Sequence, residues 1–356
     1  MSAAVTQAPV RPDWLSTHDE PVIDSGQPII DTHHHLYERP GIRYLLHDYL
    51  EDVATGHDVR ASIYVQARAM LRSDGPVEMQ PVGEIEFANG VAAMSASGLY
   101  GPSRLCNGIV GFADLTLGEA VQTVLEKEIA AAGGLTAQGG RYCGIRQTLC
   151  WDEDKSLLNP AYPTTPDMID SAQFRAGFAQ LAKLGLSFEA WAFFPQLSDI
   201  ARLARAFPDT PIVLNHCGGG IRIRDYEARQ EVFDHWRLGI IDLARCENVQ
   251  IKLSGLGMHF WGFGLEAAAR APDSELLART WQPWVEHCIE QFGASRCMWG
   301  SNFPVDKGSY GFKIGLNAFK RLAARASADE RDALFWRTAQ AFYRLRSTRL
   351  GNPERR

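Results

Sequence analysis

Residues 28–37 read PIIDTHHHLY, an apolar pair and an acid leading into three of the chain's ten histidines, His33, His34 and His35. In an extended strand successive side chains alternate between faces, so His33 and His35 share a face and His34 takes the other. Two imidazoles on one face can hold a metal or act as a general-base pair. A surface cluster or a purification tag is the plainer reading, but the run is internal and follows Ile29-Ile30.

Other polar residues recur at the ends of β-like runs. They are Gln66 and Arg68 in VQAR, Asp114, Arg146 and Gln147 in GIRQ, Asn215 and His216 in LNHCGG, Ser254, and Asn302 with Asp306 in GSNFPVDK. The planar fork of Arg146 suits a carboxylate or a developing oxyanion, with a buried ion pair as an equal alternative. Asp306 can shuttle a proton, or simply cap a loop beside Lys307. Lys252, in IKLSG, reads as a structural lysine whose stem packs on its strand. Gly218-Gly219-Gly220 lacks the phosphate-binding GxxxxGK[ST] pattern and reads as a plain loop. Trp191 and Phe194 are aromatic candidates for the wall of an apolar pocket.

These residues need a frame that brings eight strand ends together. After the first strand come ASIYVQA (61–67), GIVGFADL (108–115), YCGIRQTL (142–149), LSFEAWAF (186–193), PIVLNHC (211–217), VQIKLSGL (249–256) and SRCMWGSNF (295–303), with helical patterns between them. Short apolar runs suit parallel strands buried on both faces. Eight alternating units predict an α/β fold, a (β/α)₈ TIM barrel spanning 28–346, with chemistry at the C-terminal ends of the strands. A doubly wound sheet is the alternative, but no GxGxxG follows the first strand. Residues 1–27 read as an N-terminal arm on the surface and 347–356 as a tail.

The composition excludes several classes. A net charge of −6 with no basic block argues against nucleic acid and anionic membrane as partners, leaving a small-molecule substrate. No apolar run reaches the roughly 18 residues of a membrane span, and no secretion signal is read at the start. Seven scattered cysteines without CxxC spacing point to reduced thiols and a cytoplasmic setting. Assembly into a homo-oligomer is left open.

DTHHHL, GIR, FPQL, LNHCGG, KLSGLGM and GSNFPVDK together resemble the amidohydrolase-related (amidohydrolase 2) group of the amidohydrolase superfamily, in its lactonase-like branch. The resemblance runs from about residue 28 to 345. It implies a (β/α)₈ barrel of hydrolases, lactonases and some decarboxylases, commonly with a divalent metal. The HxH of the first strand carries over to His33 and His35, and the strand-six histidine to His216. Three positions depart. Asn302 stands where many members have an aspartate, Phe194 where close relatives carry a histidine before PQL, and Gln147 where they carry one after GIR. The strand-four lysine of the wider superfamily is not evident either. The resemblance thus implies one divalent cation, zinc or manganese, on His33, His35 and His216, held weakly or lost.

The function expected is opening of a small lactone or a related acyl bond. His33 and His35 would polarise the carbonyl, Arg146 and Arg68 would anchor a carboxylate or oxyanion, and His216 or Asp306 would move the proton. Gln66, Trp191, Phe194 and Asn302 would line the substrate site. Decarboxylation of an aromatic or unsaturated acid, or binding without catalysis, are the alternatives on the same barrel.

Overall fold

The computed structural model describes residues 7–227 and 229–346; the expected tail at 347–356 and the first six residues of the arm lie outside the described residues. Eight strands form one parallel sheet: β1 (Pro28–His34), β2 (Asp58–Val65), β3 (Arg104–Gly111), β4 (Tyr142–Thr148), β5 (Ser187–Trp191), β6 (Ile212–Leu214), β7 (Val249–Leu253) and β8 (Cys297–Trp299). Each pairs with the next in chain order. Asn302 N donates to His33 O at 2.7 Å and His35 N to Phe303 O at 2.8 Å, which brings the chain beyond β8 back onto β1. The expected (β/α)₈ TIM barrel is the fold.

A helix follows every strand: α1 (Leu46–Val53), α2 (Val82–Ala96), α3 (Val121–Ala131), α4 (Ala172–Lys183), α5 (Leu197–Ala206), α6 (Gln230–Ala244), α7 (Ser274–Phe292) and α8 (Phe312–Leu322). A last helical segment begins at Ala328, behind a capping box in which Ser327 and Glu330 satisfy each other's backbone N–H, and ends at Phe342. It places Tyr343 and Leu345 against Ile30, Ile63, Val110, Val213 and Met298, so the floor of the barrel is packed side chain.

Several of the expected strands end earlier than read, and two of them keep only three residues. β6 stops at Leu214 and β8 at Trp299 because His216, Cys217 and Asn302 hold φ values of 55°, 50° and 57°, which no strand can continue. β1 carries the opposite irregularity. Asp31 pairs with Ser62 and His34 with Tyr64, three steps on β1 against two on β2, so one residue is extra. That bulge lets Ile30 sit in the packed floor while His33 and His35 also face inward, which strict alternation would forbid.

The arm from residue 7 to 27 runs over the loops following β7 and β8 and along α8. Trp14 Nε1 donates to Ala268 O at 2.8 Å, and Asn317 Nδ2 to Pro21 O at 2.9 Å.

Candidate active site

Three imidazoles gather at the C-terminal mouth of the barrel. Ring centroids of His33 and His35 are 5.0 Å apart, and those of His33 and His216 4.4 Å. His34 points the other way, as the alternation predicts. Its ring stacks on Tyr49 of α1 at 4.1 Å, with Nε2 2.9 Å from Ser62 Oγ.

Hydrogen bonding sets which nitrogen of each ring is available. His35 Nδ1 lies 2.7 Å from Val65 O. A carbonyl only accepts, so neutral His35 carries its proton on Nδ1 and presents a lone pair at Nε2. His216 Nδ1 is 2.9 Å from Ser254 Oγ, which steadies the ring without deciding its tautomer. Arg146 Nη1 stands 3.1 Å from His33 Nε2. A guanidinium only donates, so on this side the ring can do nothing but accept; Nδ1 lies on the other. There it faces Lys252 Nζ at 3.3 Å and Glu189 Oε2 at 3.9 Å.

Lys252 is not the packed stem that the strand pattern suggests. Its ammonium is fully buried inside the barrel, donating to Thr32 O at 2.7 Å and to both oxygens of Glu189 at 2.7 and 2.8 Å. Glu189 also accepts from Tyr343 OH at 2.6 Å and Asn215 Nδ2 at 3.0 Å. Glu189 was missed in the sequence reading. Its signal was an acid in the middle of the apolar run LSFEAWAF, a position a barrel interior tolerates only with a partner.

Above the histidines lies a cavity of about 130 Å³. His35, Arg146, Trp191, His216 and Asn302 line it, together with Phe193, Tyr162 and Gln7 of the arm. Phe194 is a correction: it is turned away, packed on Tyr226 and His235, and the neighbouring Phe193 faces the cavity. The turn at Phe194–Gln196 that opens α5 rotates the pair by one position. Gln66 is buried behind the wall, where its backbone oxygen takes a bond from Arg146 Nη2 at 2.5 Å. Arg68 and Gln147 line a second cavity next door. Asp306 is fully buried under Asn302, accepting from Asn302 Nδ2 at 2.8 Å, Tyr310 OH at 2.6 Å and Gly257 N at 2.9 Å. It reaches the cavity only through Asn302, whose Oδ1 is left without a hydrogen-bond partner among the described residues. Arg146 Nε is likewise buried without one.

Burial dominates the electrostatics. It holds His33, His35 and His216 well below the usual histidine range, helped at His33 by Lys252 and at His35 and His216 by Arg146. All three are neutral at neutral pH. Burial pushes Lys252 down to about 8 against the pull of Glu189, and lifts Asp306 to about 7 against its three donors.

A three-imidazole metal site needs a lone pair from each ring. His35 and His216 can offer Nε2. His33 cannot, because Arg146 occupies that side of its ring and Lys252 the other. Two buried cations beside the cluster also repel a dication. Among the described residues no group of three or more His, Cys, Asp or Glu side chains is gathered to hold a metal ion. The expected His33–His35–His216 ligand set therefore does not fit, and the reason is a cation seated where the metal would be.

Comparison with known proteins agrees with this barrel. The chain is 32% identical over 85% of its length to a Sinorhizobium fredii protein, y4mH, described only as uncharacterized, and covers 86% of it. It is 26% identical to an L-fucono-1,5-lactonase of Burkholderia multivorans, covering 89% of this chain and 96% of that one. The crystal structure of an amidohydrolase from Burkholderia multivorans with bound Zn superposes with a TM-score of 0.67 at 26% identity, over 89% of this chain and 99% of the other. The family model described as Amidohydrolase matches residues 30–345, so the chain belongs to the amidohydrolase family.

Proposed function

We propose that the protein hydrolyses the acyl bond of a small lactone, with its own side chains supplying the chemistry. The observation that carries this reading is one cavity lined both by His35, whose Nε2 keeps a lone pair, and by the guanidinium of Arg146. A base and an oxyanion partner facing the same small space are what acyl transfer to water requires.

In the proposed sequence the lactone carbonyl lies against Arg146, and Asn302 Oδ1 holds a water. The water oxygen attacks the carbonyl carbon while its proton passes to His35 Nε2. Negative charge collects on the carbonyl oxygen, where Arg146 stabilises it. Collapse breaks the ring C–O bond, and the proton on His35 passes to the departing alkoxide. The product is an open-chain hydroxy acid. His33, locked between Arg146 and Lys252, orients the guanidinium. His216, edge-on to Trp191 at 4.7 Å, is the alternative base. Left-handed φ values at Arg68, His216 and Asn302 support the reading, because strain of this kind is retained at functional sites. So does the likeness to a curated lactonase.

The test is a panel of five- and six-membered sugar lactones, followed by proton release at constant pH, with and without chelator. Hydroxy-acid formation that survives chelation is the expected result, with Arg146→Met lowering kcat/KM on the order of 10²–10³-fold. Carbon dioxide as a product of aromatic acids, with every lactone inert, would turn the assignment toward decarboxylation.

A further inference from the structure

The second cavity, about 470 Å³, opens over the ends of β2, β3 and β4 and shares Thr148 and Tyr162 with the first. Small-molecule sites generally occupy about 300–1,000 Å³. The cavity above the histidines is well below that range, so on its own it holds little more than the reacting ring. The larger one has the character of a binding compartment.

Its walls are Phe112, Tyr162, Met168 and Leu71, and among the described residues its one cation is Arg68, which no acid pairs. The half-buried guanidinium lies 5.5 Å from the Phe112 ring centroid and 5.6 Å from that of Tyr162. No carboxylate comes within ion-pair distance of it among the described residues. Two acids border the same space. Asp114 is engaged by Thr116 N at 3.0 Å, Thr116 Oγ1 at 2.7 Å and Gln147 Nε2 at 3.3 Å, and Glu78 is exposed at the rim. Arg68 is therefore the group left to answer a ligand. Its backbone φ of 54° sets it at the turn out of β2, aimed between the two rings. At the mouth, Val77 and Leu117 are 75% and 38% exposed, an apolar margin that none of the described residues covers.

We propose that this cavity is a second subsite that takes an apolar or aromatic arm ending in a carboxylate, with Arg68 as its anchor and the two rings as its walls. A guanidinium held over aromatic faces, with its donors free, matches a carboxylate in shape and charge. The substrate class becomes a lactone or ester bearing such an arm. The step across Tyr162 rests on the hydrolytic reading above; the binding itself does not.

The test therefore reads binding. Titration calorimetry with 3-phenylpropanoate and with its neutral amide is run on the full chain, on Arg68→Gln and on Arg146→Met. The acid should bind about tenfold or more tighter than the amide, the preference should vanish in Arg68→Gln, and it should persist in Arg146→Met. Equal affinity of acid and amide in the unmodified protein would overturn the proposal whether or not any variant folds. A preference lost in Arg146→Met but kept in Arg68→Gln would place the acid in the small cavity and overturn it too. Since no turnover is needed, an inert lactone panel leaves this result readable, and an active panel with no acid preference rejects the subsite alone.

Discussion

Arg146 Nη1 stands 3.1 Å from Nε2 of His33, on the side of the ring from which a metal would draw its lone pair. One cation thus stands in for another. Asn302, where the family resemblance leads one to expect an aspartate, belongs with it, since a site organised around a guanidinium has less use for an anionic metal ligand.

Removing that guanidinium should restore what it displaces. In Arg146→Met, His33 Nε2 is freed to join His35 and His216, and zinc affinity measured by competition with a chromogenic chelator should rise at least tenfold over the unmodified protein. Three imidazoles suffice for a catalytic zinc site. Unchanged affinity would show that Lys252, or the ring geometry, keeps the metal out by itself.

The pH profile separates His35 from Asp306. With the histidine held well below its usual range, kcat/KM for a lactone should be flat from pH 8 to pH 6 and fall only below it, as His35 takes up a proton. A limb near pH 7 would instead report Asp306, whose carboxyl is lifted to about 7.

Asp306 should also leave a signature in stability. Its carboxyl keeps a proton in the folded state up to about pH 7, while the unfolded chain loses it near 3.8. Between those values the native state binds more protons, so this group's contribution falls as pH rises and is level above 7. The full span is on the order of 4 kcal/mol. Buried histidines of lowered pKa drive the opposite trend, so the measurement is the difference between the protein and Asp306→Asn in urea melts from pH 4 to 8. A difference that does not change with pH would mean that Asp306 is ionised throughout.

The Lys252–Glu189 pair lies inside the barrel with no solvent access. Lys252→Met alone should cost about 3–5 kcal/mol, because Glu189 is left charged among Tyr343 and Asn215. The double variant Lys252→Met, Glu189→Leu should recover a large part of that loss. Equal losses in the single and double variants would show that the pair is held by packing and not by charge.

His34 should behave unlike its neighbours. His34→Ala removes a ring stacked on Tyr49 and a bond to Ser62, so it should lower the melting temperature by several degrees and leave kcat within a fewfold. His35→Gln should lower kcat on the order of 10²-fold or more with the fold intact. Comparable kcat losses at both positions would remove the distinction between the two faces of β1.

Much of this molecule was legible in its residues. Alternating apolar strands and glycine-ended helices specify a parallel β/α barrel because a strand buried on both faces and a helix with one apolar stripe have few ways to pack. The same regularity turned His33 and His35 inward and His34 outward, and placed Arg146, His216 and Asn302 at the mouth. Local pattern determines direction along a strand, and that is where its authority ends. Phe193 replaced Phe194 because a helical turn after β5 shifted which ring looks inward. Asp306 went behind Asn302 because its other oxygen is held by Gly257 from the loop after β7, and Gln7 came in from the arm through a contact 297 residues apart in the chain. The bulge in β1 depends on the register of β2. Whether three histidines make a metal site was decided by two cations from β4 and β7, since the charge and lone pairs around a ring are set by whatever the barrel brings against it.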